Sequence, residues 1–265
     1  MKTQASRQSM RRHALLGAFL TAMAALSSQA ALAAQAKHPD MSGFWFLDRG
    51  KSERMPELVS KLAPNTAMLS DVGARELSPG DFGNLKVKPA AREAAAKWDA
   101  LDEQSVENVC KPPSIIYSMQ GPFPIEIHPA TELIVFKLEY YDLVRIIFMD
   151  GRAHPGGDYP HSKVGHSIGR WDGDTLVVDT THLAASTITN NGLNHSDDVH
   201  VIERFRLSQD GKRLHMTQEF EDPEVLENRG ARYVVLERQK GHVFPYECDP
   251  SYGLSIERRE GAGKK

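Results

Sequence analysis

Short runs of alternating apolar and polar residues, broken by turn residues, fill most of this chain and limit what it can form. Runs at 41–47, 115–117, 124–128, 131–140, 142–149, 164–170, 175–180, 199–207, 214–220 and 233–238 read as strands. Asp150-Gly151, Asp172-Gly173 and Asp210-Gly211 sit between such runs. Asp-Gly between apolar strands is a strong hairpin signal, because both residues tolerate the positive φ of the tight turn. Strands at this spacing make an antiparallel sandwich or barrel. One stretch breaks the pattern. Pro89 to Glu103 is rich in Ala, Glu, Arg and Lys with Pro at its start, and the composition predicts a helix over about 89–103, anchored by Trp98 and Leu101.

Period-two reading assigns faces to the strands. In 199–207 one face is Val199, Val201, Glu203, Phe205 and Leu207; the other is His200, Ile202, Arg204 and Arg206. Glu203 therefore interrupts an apolar face. In 142–149 the face of Leu143, Ile147 and Met149 is interrupted by Arg145. A buried unpaired charge is expensive, so each needs a partner. Two readings stand: a structural Glu203–Arg145 pair inside a barrel, or the polar end of a ligand cavity in which Glu203 acts as acid or base.

Six of the 11 histidines fall between His154 and His200: those two with His161, His166, His182 and His195. Carboxylates are interleaved with them. The mixture suits acid–base catalysis, since imidazole titrates near neutral pH. It also suits a divalent transition metal, although no compact ligand spacing is present. Asp174 and Asp179 read as hairpin and sheet supports, and Glu126 with His128 as a solvated edge. Alternation puts His200 and Glu203 on opposite faces, so both reach one site only through a bulge or a strand end. Gly165-His166-Ser167-Ile168-Gly169 lacks the spacing and strand-to-helix context of a nucleophile elbow. No phosphate loop or dinucleotide fingerprint occurs.

The first 36 residues read as a signal peptide. Lys2, Arg7, Arg11 and Arg12 precede an apolar stretch, Ala14 to Leu26, and small-x-small sites end it. Arg11-Arg12 resembles a twin-arginine signal. The apolar stretch is too short for a membrane anchor, so a mature chain of 37–265 is expected in the periplasm or secreted. Removal of the leader leaves 28 basic against 35 acidic groups, a balance that disfavours nucleic acid. The remaining length suits one domain. Cys110 and Cys248 are the chain's two cysteines and are expected to pair in an oxidising compartment, tying the last strand to the middle of the chain.

Several blocks together carry a resemblance. They are Cys110-Lys-Pro-Pro113, Arg145 to Pro155 with Asp150-Gly-Arg-Ala-His154-Pro155, Gly165 to Thr180, His195-Ser196, His200-Val-Ile-Glu203-Arg-Phe-Arg206, and Tyr246-Glu-Cys248. The chain resembles a large group of uncharacterised exported bacterial proteins over about residues 41–255. The resemblance implies a shared fold and imports no activity. After Cys248 this chain has Asp249-Pro-Ser-Tyr252 where the group tends to carry His-Glu-Gly-Asn. Gly43-Phe44-Trp45 is similar to the opening strand of lipocalin-like barrels. The resulting expectation is a mainly β fold, an antiparallel lipocalin-like β-barrel with one helical excursion, holding a small-molecule ligand or substrate. The leading function is an exported enzyme doing proton-transfer chemistry of lyase, isomerase or hydratase type on a small, partly apolar molecule. Its expected site residues are His154, His166, His200 and Glu203, with Arg145 steering an anionic or carbonyl oxygen. The alternatives are a non-catalytic carrier of an apolar ligand, a metal-dependent enzyme, and an envelope protein with no ligand.

Overall fold

The computed structural model describes residues 38–50, 53–73 and 75–254. The expected signal peptide and the tail at 260–265 lie outside them. Twelve strands are present among the described residues. They are β1 (Gly43–Leu47), β2 (Ala67–Met68), β3 (Ile125–Pro129), β4 (Leu133–Leu138), β5 (Val144–Phe148), β6 (His166–Asp172), β7 (Thr175–Thr181), β8 (Ser186–Thr189), β9 (Leu193–His195), β10 (His200–Leu207), β11 (Arg213–Glu221) and β12 (Gly230–Gln239).

Nine of these close a barrel in the order β1-β3-β4-β5-β6-β7-β10-β11-β12, with β1 returning to β12. Closure removes the unpaired edges that an open sheet would expose. The expected mainly β barrel is thus present. Its neighbours are antiparallel except at β5–β6, where Ile147 and Phe148 pair in parallel with Ser167 and Ile168. Parallel neighbours need a crossover, and here residues 149–165 supply it. Asp172-Gly173 and Asp210-Gly211 do join hairpins, β6–β7 and β10–β11. Asp150-Gly151 instead opens the crossover, which brings His154 against β6 and β7.

Alternation explains the interior. Val201, Glu203 and Phe205 of β10 point inward, as do Leu176, Val178 and Thr180 of β7 and Arg145 and Ile147 of β5; each of these is essentially inaccessible. Trp45, Phe136 and Phe205 fill the middle, the two phenylalanines meeting edge to face at 5.4 Å. The barrel is a packed core, as expected for interior-facing side chains in a small barrel.

Three local expectations are corrected. The stretch 115–117 is not a strand but the start of a helical turn, Ile115–Ser118; three apolar residues carry too little periodicity to decide. The helix expected over 89–103 is two, Pro89–Ala95 and Ala100–Glu103. Asp99 makes the break: its backbone is extended and its side chain accepts from Leu101 N, capping the second helix. Leu101 is exposed and anchors nothing, whereas Trp98 packs its Cβ against Gly192. The disulfide Cys110–Cys248 is present, but Cys248 lies beyond β12, so the bridge staples the segment after the barrel rather than its last strand.

Candidate functional site

The five expected site residues divide between two places. Arg145 and Glu203 face each other inside the barrel, both fully buried, with Nη2 donating to Oε2 at 2.5 Å. Nη2 also donates to Thr180 Oγ1 and Nε to Ser167 Oγ, while Gln218 Nε2 donates to Glu203 Oε1. Ser167, the serine between glycines, is thereby a buried support. This is a closed, buried ion pair held by hydroxyl and amide partners, with Arg145 Nη1 left without a hydrogen-bond partner. No bulge brings His200 to it.

The histidines meet on the outside of the barrel around Asp179, a residue read from sequence as a sheet support. Asp179 lies on β7 with Ile168 of β6 and Ile202 of β10 opposite it in register. Outward parity therefore follows from inward parity: Val178 and Thr180 enter the core, so Asp179 cannot. His200, two residues before Ile202 at the start of β10, brings Nε2 to Asp179 Oδ1 at 2.8 Å. His154 arrives from the crossover and brings its Nε2 to the same oxygen at 3.0 Å. His154 Nδ1 meets His166 Nδ1 at 2.9 Å. Glu221 stands 3.4 Å from His200 Nδ1 and pairs with Arg229.

The partners assign the protons. An ionised Asp179 only accepts, so both Nε2 atoms carry hydrogen. One hydrogen lies between His154 Nδ1 and His166 Nδ1, so His166–His154–Asp179–His200 is a continuous hydrogen-bonded row. Environment pulls its ends apart. The hydrogen bond to Asp179 raises the pKa of His200 against opposing burial, with Glu221 adding to the rise. Burial lowers that of His166, and the neighbouring His154 lowers it further. Burial works against ionised Asp179, but the hydrogen bonds of His200 and His154 outweigh it and hold its pKa below the ordinary carboxylate value. Phe148 stacks on His166 at 5.3 Å, and the Tyr159 ring meets it edge-on at 5.7 Å.

A groove of about 320 Å³ opens beside Asp179. Ile168, Val177 and Ile202 give it an apolar floor; Arg152, Arg170 and Arg204 line it. Arg152 is held by Asp150 and Arg204 by Glu219. Among the described residues, Arg170 has no carboxylate partner.

The other histidines are scattered by role. His195 is the buried last residue of β9, its Nδ1 donating to Ser196 O and its Nε2 meeting Ser114 Oγ; burial lowers its pKa to about 4. His161 and His182 pack ring against ring, and His182 also meets the Tyr159 ring. Asp174 lies in the hairpin, 3.8 Å from Arg206. Glu126 and His128 lie together on β3, with Lys137 beside Glu126. Among the described residues no three His, Cys, Asp or Glu side chains are grouped to hold a metal ion, and no helix is long and apolar enough to cross a membrane.

The missed residues are Asp179, Glu221 and Arg170. Parity with Leu176, Val178 and Thr180 places Asp179 on the outer face, so that signal was available; which outer residues become neighbours was not. The chain matches no protein-family model and no curated protein sequence.

Proposed function

We propose that this chain is an exported enzyme that moves a proton on a small, partly apolar organic anion bound in the outer groove. One observation carries the reading: His154 and His200 both bring Nε2 to Asp179 Oδ1, at 3.0 and 2.8 Å, His166 adjoins His154, and Asp179 itself lines the groove; the pKa values of His166 and His200 are driven in opposite directions there. Paired groups whose environments push them apart divide into a base and an acid. His166, its pKa lowered by burial, is the base of this reading, and His200, its pKa raised by Asp179, is the acid; His154 and Asp179 connect them, and Asp179 is the member that lines the groove. Ile168, Val177 and Ile202 take the apolar part of the substrate, and Arg170 takes the anionic oxygen in the role expected of Arg145. The chemistry is that of an isomerase, lyase or hydratase. The disulfide supports a periplasmic or secreted location. The filled barrel interior lends the carrier reading no support.

The test is exchange of the α-protons of small 2-oxo carboxylates in D2O, followed by proton NMR with catalytic protein. The expected result is exchange above the buffer rate that falls by about 100-fold or more in Asp179→Asn, within the usual range for a general acid–base group. Exchange no faster than buffer across acids of two to six carbons, or equal in the variant, overturns the proposal.

A further inference from the structure

A second cavity, sharing no residue with the groove, is lined by Asn108 and Lys111 on either side of the disulfide's Cys110. Its volume is about 350 Å³, within the range of small-ligand sites. Three phenol rings line it, from Tyr117, Tyr140 and Tyr141. They are fixed from behind. Tyr246, two residues before Cys248, packs on Tyr141 at 4.7 Å and on Tyr140 at 5.5 Å, and Phe123 stacks on Tyr140 at 4.6 Å. Tyr141 has φ 55°, a left-handed conformation unusual for a bulky side chain, and its hydroxyl donates to Val109 O at 2.7 Å. A strained aromatic held by several partners is a recurrent feature of ligand sites.

The charges in the lining select the ligand. Lys111 and Lys163 stand against one carboxylate, Glu103. Lys163 Nζ donates to Ala185 O at 2.7 Å, and Lys111 Nζ to Asn108 Oδ1 at 2.7 Å, so neither ammonium is neutralised by a carboxylate among the described residues. Burial lowers the pKa of Lys163, which marks an ammonium short of solvent and counter-charge. Glu103 receives Trp98 Nε1 on Oε1 at 2.7 Å, leaving Oε2 to accept from a bound donor. Burial also raises the pKa of all three phenols, that of Tyr141 to about 12, so the rings stay neutral at physiological pH. Neutral rings, an excess ammonium charge and one free carboxylate oxygen match a planar acid with a hydroxyl at its far end.

We propose that this cavity is a binding site for a small hydroxylated aromatic carboxylate, its ring between the tyrosines, its carboxylate on Lys163 and its hydroxyl on Glu103. Offset and edge-to-face ring contacts add to apolar burial, and a charge-assisted hydrogen bond to Lys163 fixes orientation.

The test is titration calorimetry on the full mature chain with its disulfide intact, using 4-hydroxybenzoate, cyclohexanecarboxylate and benzyltrimethylammonium as probes. The expected result is binding of 4-hydroxybenzoate at about millimolar Kd or tighter, with cyclohexanecarboxylate at least about fivefold weaker for loss of the ring contacts. Lys163→Gln should weaken 4-hydroxybenzoate about tenfold, the worth of one charge-assisted bond. Amide NMR shifts should localise to Tyr117, Tyr140 and Tyr141. If Lys163→Gln does not fold, Lys111→Gln reads the same charge effect. Three results overturn the proposal: preference for the ammonium probe, no binding of 4-hydroxybenzoate at 10-fold higher concentration than the expected Kd, or binding with shifts confined to other residues. The D2O exchange assay is independent of this cavity, so either proposal can fail alone.

Discussion

Replacing Glu203 by leucine tests the reading of the barrel's interior pair. Arg145 then keeps Ser167 and Thr180 as partners but loses its one counter-ion, at a depth where neither side chain is accessible. Its Nη1 already has no hydrogen-bond partner. Breaking a buried pair on one side costs about 3–5 kcal/mol, because a charge is left behind in a poorly polarisable interior. For a domain of this size that is a fall in Tm of roughly 6–20 °C. Removing both charges is a different experiment. Arg145→Met with Glu203→Leu leaves no orphaned ion, and such replacements are often neutral or stabilising. The assay is urea and thermal denaturation of the wild type, both single variants and the double variant. The reasoning is refuted if Glu203→Leu loses less than about 1 kcal/mol, or if the double variant is no more stable than the worse single one.

The relay makes stability depend on pH in a defined window. His200 has a raised folded pKa, so its contribution is full below its unfolded value and is lost as pH rises through the folded one. Asp179 has a lowered folded pKa, so its contribution is present above its unfolded value and is lost as pH falls through the folded one. Together they stabilise most between about pH 4 and 6.5, and urea midpoints of wild type minus Asp179→Asn should peak there. A flat difference contradicts the pairing. His195 behaves oppositely: with its pKa lowered to about 4, it should remain neutral in NMR titrations down to that pH, and stability should fall as pH drops below about 6.5 towards 4. Titration near 6.5 would show it is not sealed. Reducing the disulfide should loosen the segment carrying Tyr246 while the barrel stays folded. Cys110→Ser with Cys248→Ser should lose up to about 5 kcal/mol for a closed loop of this length and become protease-sensitive after β12; unchanged cleavage at that segment contradicts the staple.

Much of the barrel was legible because strand parity is local. Val201, Glu203 and Phe205 announce one face, His200 and Ile202 the other, and the closed structure keeps both assignments. The same argument named a pairing of Arg145 with Glu203 as one of two readings, since two buried charges of opposite sign offset each other's desolvation; parity alone did not choose between that pair and the polar end of a cavity. What sequence could not supply was adjacency. Asp179, His154 and His200 lie on β7, on a crossover and on β10. They meet because β7 pairs with β10 while β8 and β9 leave the barrel between them. The tyrosine cavity was hidden for the same reason: Tyr117, Tyr141 and Tyr246 are far apart in the chain and are assembled by the disulfide and by a turn with two left-handed residues. Cappers such as Asp99 were readable in principle, but a helix-forming composition around them masked the break.

The relay on Asp179 is the centre of this account, and histidine NMR titration measures it most directly. In the wild type, His200 should titrate above about 6.5 and His166 below it. In Asp179→Asn, His200 should fall back towards 6.5, because burial is then opposed by Glu221 alone. Histidines that titrate together near 6.5 in both proteins would contradict the account.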